Sequence, residues 1–166
     1  MSQLIAVMGV SGSGKTTVGA ALARRLRVPF ADADDFHPQA NIDKMAAGVP
    51  LGDADRTPWL AAVGAWLATH AATGAVISCS ALKRDYRDTL RAAAPATRFL
   101  HLTGDQDVVR RRVAGRPGHF MPVSLVATQF AALEPLEPGE NGIALDLDQP
   151  VDRIVEAYLC TTVEAL

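Results

Sequence analysis

The segment from Gly9 to Thr16 has the residue types and spacing with the clearest chemistry in this chain. Its sequence is G-V-S-G-S-G-K-T, which matches the phosphate-binding loop pattern G-x-x-x-x-G-K-[ST] in full. Glycines let the backbone bring its N–H groups onto phosphate oxygens, Lys15 can reach the β- and γ-phosphates, and the Thr16 hydroxyl can ligate Mg²⁺. The alternative is a glycine-rich turn with an incidental lysine, and the flanking strand and helix patterns argue against it. The predicted nucleotide contacts in this segment are Gly9, Val10, Ser11, Gly12, Ser13, Gly14, Lys15, Thr16 and Thr17.

Two carboxylates, Asp32 and Asp34, follow the second apolar run of the chain. Alternating residues of an extended segment point to the same side, so both can face the phosphate loop. One can serve Mg²⁺ and the other can accept the proton of an attacking hydroxyl. We assign Asp34 as the base and Asp32 to the metal, although the order could be reversed. The alternative is that both only cap the next helix.

An arginine-rich stretch runs from Arg110 to Arg116 and continues to His119. Arg116 lies among glycines and a proline, so we predict that it closes over the transferring phosphoryl group as part of a lid. Arg112 is predicted to contact the nucleotide, with a solvated helix face as the open alternative. His119 could contact phosphate or substrate, or could only order the lid.

Short apolar runs alternate with longer helical patterns, which predicts a parallel sheet covered by helices on both faces. Pro58 is expected in the first turn of the third helix, where its missing N–H costs little. The predicted strands are 3–8, 28–32, 75–79, 97–102 and 142–147. The predicted helices are 15–26, 38–47, 56–72, 83–93, 105–114, 122–132 and 150–160.

This alternation indicates an α/β three-layer sandwich with a five-stranded parallel sheet, formed by a single domain. In an open parallel sheet, ligands bind beyond the carboxyl ends of the strands. The phosphate loop, the segment 32–38 and the segment 80–84 each follow a predicted strand. We therefore expect their polar groups to converge at one edge of the sheet.

Missing motifs narrow the class of phosphate-loop protein. The sequence has neither the N-K-x-D guanine-reading motif nor the D-x-x-G switch of regulatory GTPases. A motor-type ATPase would place an aspartate after a distal strand, where this chain has Ser78-Cys79-Ser80. Acids after the second strand are common in small-metabolite and nucleotide kinases instead.

Composition and charge limit the classes of protein to which this chain could belong. The net charge of −2 gives no support for nucleic-acid binding, and no apolar run approaches the roughly 20 residues needed to span a bilayer. Its two cysteines form no disulfide or metal pattern, and the first strand leaves no room for a signal peptide. We expect a cytoplasmic protein.

The chain resembles the gluconokinase family, small phosphate-loop kinases that make 6-phosphogluconate from gluconate and ATP. The resemblance covers roughly residues 4–158, and three segments are more specific than the phosphate loop. These are H-P-x-x-N-x-x-K-M from His37, D-R-x-P-W-L from Asp55, and C-S-A-L-K-x-x-Y-R from Cys79. Gly118-His119-Phe120-Met121 and Thr128-Gln129-Phe130 match as well.

The resemblance implies a phosphate-loop fold like that of nucleoside-monophosphate and shikimate kinases, with ATP and Mg²⁺ as cofactors and gluconate as substrate. It implies a substrate-binding helical segment at about 37–73, a lid at about 112–135 and a homodimer. Gln149 and Pro150 resemble a segment near the adenine in related kinases. The residues expected to bind gluconate are Asp34, His37, Lys44, Arg56, Lys83, Tyr86, Arg87 and His119.

Some alternatives remain open from the sequence. Each of the lysines and arginines could be an ordinary surface charge, and this applies most to Lys44. The acceptor could be shikimate or a nucleoside monophosphate, although no base-reading pocket is identifiable. The protein could also hold ATP without turnover, which the intact Lys15, Thr16 and Asp34 argue against.

Overall fold

The computed structural model describes residues 2–115 and 123–163, in which strands and helices alternate. The strands are β1 (Leu4–Met8), β2 (Phe30–Asp32), β3 (Ala75–Ser78), β4 (Arg98–Thr103) and β5 (Gly142–Asp146). The helices are α1 (Lys15–Leu26), α2 (Gln39–Ala46), α3 (Asp53–Thr69), α4 (Arg84–Ala93), α5 (Gln106–Ala114), α6 (Val123–Ala132) and α7 (Val151–Val163). A short 3-10 helix, Ala33–Phe36, follows β2 directly.

The five strands form one parallel sheet in the order β2-β3-β1-β4-β5. β1 is central and its five residues are all buried, as expected for a strand covered on both faces. All five carboxyl ends lie at the same edge because every pairing is parallel. The predicted α/β fold with a five-stranded parallel sheet is confirmed.

Two hydrophobic cores lie on opposite faces of the sheet, and β1 divides its side chains between them. Ile5 and Val7 belong to the core that contains residues of α1, α5 and α7. Leu4, Ala6 and Met8 belong to the core that contains residues of α3 and α4. This alternation follows from the two-residue repeat of a strand, and it produces the three predicted layers.

Helix α3 begins earlier than the sequence pattern predicts. It starts at Asp53, so Pro58 lies inside the helix, beyond the predicted first turn. The early start has a local cause, since the Asp55 carboxylate accepts a hydrogen bond from the Gly52 N–H at 2.9 Å. Pro58 is exposed, and its ring therefore faces solvent.

Within the described ranges, no helix combines the length and apolar character that crossing a membrane requires.

Candidate active site

A cavity of about 440 Å³ lies at the carboxyl ends of β1, β2 and β3. Its position follows from the parallel sheet, whose strand ends deliver loops to a single edge. The cavity is lined by residues from the phosphate loop, the segment after β2, α3 and α6. The predicted site residues that line it are Ser11, Gly12, Gly14, Lys15, Thr16, Thr17, Asp32, Asp34, His37 and Arg56.

The phosphate loop connects β1 to α1, and its glycines meet two different steric demands. Gly14, which precedes the first residue of α1, has a φ of 93°, in the region that favours glycine. Gly12 has a φ of 83°, and a Cβ there would lie 2.6 Å from Val113 Cγ2 of α5. Lys15 bends back over the loop, with Nζ donating to the Val10 carbonyl at 3.0 Å.

The side chains of Val10 and Ser13 are buried, so these two residues can meet a phosphate only through their backbone. Thr16 and Thr17 lie exposed in the first turn of α1, where backbone N–H groups have no partner within the helix. A loop and helix start of this kind form an anion site.

Asp32 connects the phosphate loop with the segment after β2. One carboxylate oxygen, Oδ2, accepts from the Thr16 hydroxyl at 3.1 Å. The other, Oδ1, accepts from the Asp34 N–H at 2.9 Å and caps the short 3-10 helix. Asp32 thus has the capping role as well as a position beside the predicted metal ligand.

Asp34 faces the cavity with a perturbed carboxyl group. The surrounding protein partly excludes water from the carboxylate, although the residue keeps surface that the open cavity exposes. This burial, followed by repulsion from Asp32, raises the pKa of Asp34, and the nearby Lys15 ammonium lowers it to a smaller extent. A raised pKa makes the carboxylate a better proton acceptor near neutral pH.

His37 is held in position by stacking and by a hydrogen bond. Its ring stacks on Trp59, with centroids 4.5 Å apart and planes 10° apart, and its Nδ1 lies 3.2 Å from Asn41 Nδ2. Trp59 is fixed in turn, since its indole N–H donates to the Ala33 carbonyl. Burial lowers the pKa of His37, which favours the neutral imidazole.

A polar cluster stands beside the cavity, formed by Arg56, Lys83, Tyr86 and Asp53. The Tyr86 hydroxyl donates to Asp53 Oδ1 at 2.6 Å, and Lys83 Nζ lies 3.6 Å from the same oxygen. Arg56 donates to the Leu51 carbonyl at 2.8 Å, and its guanidinium lies over the Tyr86 ring. The hydrogen bond from Tyr86, and then the Lys83 charge, lower the pKa of Asp53. The sequence reasoning did not identify Asp53 as a member of this cluster.

Comparison with known proteins identifies the family of this chain. A family model described as an AAA domain matches residues 4–136. The thermoresistant gluconokinase of Escherichia coli is 42% identical over 92% of this chain and 89% of its own length. A gluconokinase structure from Sinorhizobium meliloti is 46% identical, covers 98% of this chain and 95% of its own, and superposes with a TM-score of 0.87.

The chain belongs to the gluconokinase family. The predicted resemblance is therefore confirmed. The shikimate kinase structure from Aquifex aeolicus has a TM-score of 0.67 over 99% of both chains, but only 18% identity. That likeness concerns the fold alone.

Arg87, a residue of the family-like C-S-A-L-K-x-x-Y-R segment, lies away from the cavity. Its side chain is fully buried, and all three guanidinium nitrogens are engaged with Glu140 or with backbone carbonyls. This geometry supports a structural role for Arg87 over the predicted contact with the substrate. The sequence pattern could not reveal this, because Glu140 is 53 residues away.

Lys44 forms an ion pair that organises the start of α3. Its ammonium contacts both carboxylate oxygens of Asp55, at 2.8 and 2.9 Å. Asp55 is the residue that also accepts from the Gly52 N–H. The geometry therefore supports the surface-charge alternative for Lys44.

Arg112 lies on α5 between the phosphate loop and the segment after β5. Its guanidinium donates to the Leu147 carbonyl at 2.9 Å and stands 3.6 Å from Asp148. A Cβ on Gly14 would lie 3.9 Å from Arg112 Nη1, so this arginine borders the loop. Gln149 and Pro150 follow next in the chain, where α7 begins. Arg116 and His119 lie outside the described residues.

Gln129, on α6, also contacts the phosphate loop. Its Oε1 accepts from the Ser11 N–H at 2.6 Å, and its Nε2 lies 3.2 Å from Ser11 Oγ. In the sequence, Gln129 is distinguished only as part of the family-like segment Thr128-Gln129-Phe130. That segment was the available signal, because an isolated glutamine on a helix has no distinctive spacing.

Proposed function

We propose that this protein transfers the γ-phosphoryl group of ATP to the terminal hydroxyl of gluconate, giving 6-phosphogluconate and ADP. The proposal is supported most by one observation: the phosphate loop and the carboxylate of Asp34 line the same cavity. Membership of the gluconokinase family supports gluconate as the acceptor.

ATP would bind with its phosphates on the loop and the first turn of α1. The loop amides and Lys15 would hold the β- and γ-phosphates, since Gly12, Gly14 and Lys15 line the cavity. Arg112 would approach from α5, and Gln149 and Pro150 would lie towards the adenine. Arg116 is included on sequence grounds as the lid arginine that neutralises charge in the transition state.

Thr16 and Asp32 fit a magnesium site of the kind that kinases use. Mg²⁺ keeps several waters and binds one or two protein oxygens together with substrate phosphates. The Thr16 hydroxyl and Asp32 Oδ2, 3.1 Å apart, supply that small set of oxygens. When bound, the ion would offset the negative charge of the phosphates and hold them in line.

Gluconate would bind between Asp34 and the polar cluster. Its carboxylate needs a cation, and Arg56 offers a guanidinium on the cavity wall. His37, whose lowered pKa favours the neutral ring, can accept a hydrogen bond from a hydroxyl group or donate one to it, and its stacking on Trp59 fixes the orientation of the ring. Tyr86 and Lys83 would hold the Arg56 end of the site in place, since the Arg56 and Lys83 cations both lie over the Tyr86 ring.

The chemical step is an in-line displacement. The terminal hydroxyl oxygen of gluconate forms a bond to the γ-phosphorus while the bond to the β-bridging oxygen breaks and ADP leaves. The Asp34 carboxylate accepts the hydroxyl proton. Lys15 and the loop amides stabilise the equatorial oxygens, which carry the charge throughout.

The direct test is to measure ADP release with gluconate, shikimate and AMP as separate acceptors, in the presence of Mg²⁺. We expect rapid turnover with gluconate, identified by formation of 6-phosphogluconate. Turnover with gluconate no faster than with water would overturn the proposal. Faster turnover with shikimate or AMP would support kinase activity but show that gluconate is not the preferred acceptor.

We also propose a homodimer in the cytoplasm, on the basis of the family resemblance and the cysteine usage. Light scattering coupled to size-exclusion chromatography gives the mass of the assembly. A mass near that of one 17.5 kDa chain at micromolar concentration would contradict the dimer.

A further inference from the structure

Helix α6 contacts the phosphate loop through the side chain of Gln129. Both ends of its amide contact Ser11: Oε1 accepts the backbone N–H at 2.6 Å, and Nε2 approaches Oγ at 3.2 Å. The two residues are 118 positions apart in the chain. Two contacts to one residue fix the orientation of the peptide group before Ser11.

The same part of the loop is supported from the other side by α5. Gly12 follows Ser11, and the Val113 side chain occupies the place where a Cβ of residue 12 would be. Helices α5 and α6 pack against each other. The first half of the loop is thus held between two helices, whereas its second half continues into α1.

Gln129 also faces the nucleotide side of the site. It lines the same cavity as Ser11, Gly12 and Lys15. An uncharged amide there can hold the loop without repelling phosphates, whereas a carboxylate of the same size would bring a negative charge towards them.

We propose that Gln129 is a positioning residue for phosphoryl transfer, holding the Ser11 peptide so that the phosphate loop is preorganised for ATP. The inference rests on the proposed kinase activity, because it gives the loop–helix contact a role in the same reaction. It adds a residue of α6 to the residues that are proposed to act in the site.

The test compares Gln129→Ala and Gln129→Glu with the native protein, using calorimetric binding of the non-hydrolysable analogue AMPPNP without an acceptor. We expect Gln129→Ala to weaken AMPPNP about tenfold, since two neutral hydrogen bonds are lost. Gln129→Glu should weaken it at least as much, and added salt should reduce the Glu defect. The KM for gluconate should change by less than about twofold in both variants.

The control is Leu125→Ala, an exposed residue of the same helix, which should bind AMPPNP as the native protein does. Native AMPPNP affinity in Gln129→Ala, or native affinity in Gln129→Glu, would overturn the proposal. The proposal would also be overturned if the Kd for AMPPNP and the KM for gluconate rose equally and the Tm fell. That pattern indicates general damage to the fold. Nucleotide binding is measured without gluconate, so a wrong acceptor would not be mistaken for failure of this inference.

Discussion

Asp32 shows how one carboxylate can serve the fold and the site together. Oδ1 accepts the Asp34 N–H and thereby fixes the turn after β2, while Oδ2 accepts the Thr16 hydroxyl. Its negative charge also contributes to raising the pKa of Asp34. Asp32 therefore orients the proposed base Asp34, raises its pKa, and contacts Thr16, the other proposed metal ligand.

The assignment of Asp34 as base predicts a specific kinetic defect. Asp34→Asn should lower kcat by about 10² to 10⁴, because it removes the proton acceptor while leaving a side chain of similar size. AMPPNP affinity should stay close to native, as measured by calorimetry. The matched control is Asp35→Asn, at an exposed residue that is not part of the cavity lining, and this variant should stay active. Native turnover in Asp34→Asn would show that Asp34 is not the base.

Arg56 predicts a defect in acceptor binding. Its guanidinium donates to the Leu51 carbonyl and lies over the Tyr86 ring, so its fork is fixed in direction. Arg56→Lys keeps the charge but loses the planar fork, and we expect the KM for gluconate to rise about tenfold. Steady-state kinetics at saturating ATP measures this. The control is Arg153→Lys, on the exposed side of α7, which should leave the KM for gluconate unchanged. An unchanged KM in Arg56→Lys would show that another group binds the gluconate carboxylate.

At the scale of elements, the loop after α6 is fastened to α4 by a buried ion pair. Arg87 and Glu140 both have fully buried side chains, and Arg91 also contacts Glu140. Burial alone would raise the pKa of Glu140, but hydrogen bonds from Arg87, the Glu137 N–H and Arg91 hold it at about 2. Arg87 also donates to the Ala81 and Leu82 carbonyls, in the turn after β3.

Breaking this pair should destabilise the fold strongly. Arg87→Met leaves Glu140 as a buried charge with fewer partners, and we expect a loss of about 3 to 5 kcal/mol in the free energy of unfolding. Arg25→Met breaks the exposed pair with Glu156, where both side chains are more than half accessible, and should cost less than about 1 kcal/mol. Urea unfolding measures both. Equal losses in the two variants would contradict the role given to Arg87.

The elements themselves were predictable because their signals are local. Apolar runs and helical spacing are visible within a few residues, and every predicted strand and helix has a counterpart in the structure. Contacts between distant segments left no such signal. The partners Arg87 and Glu140 are 53 residues apart, and Ser11 and Gln129 are 118 apart. Their pairing depends on tertiary packing, which periodicity does not report.

For the whole molecule, the dependence of stability on pH has an identifiable internal source in His101 of β4. This side chain is buried, and its Nδ1 has no hydrogen-bond partner among the described residues. Burial, together with the Arg87 charge, lowers the pKa of His101 to about 4. The unfolded chain binds this proton near the ordinary imidazole pKa of about 6.5, so stability falls as the pH drops below that value.

Replacing this histidine should remove that dependence. Between pH 7 and pH 5, the native protein should lose roughly 2 kcal/mol more unfolding free energy than His101→Leu, as measured by urea unfolding. Glu140 titrates at a lower pH in the folded state, and His37 contributes equally to both proteins. Parallel pH curves for the two proteins would show that His101 is not the source.

The turn after β3 limits how the acceptor site can be redesigned. Ala81 is fully buried and has a φ of 43°, a conformation that costs an alanine about 1 kcal/mol or more. Any larger side chain there would meet both a closed space and an unfavourable backbone. Efforts to accept longer or bulkier sugar acids should therefore keep residues 81–83 and begin with Met45 and Leu51, which line the cavity from its more open wall.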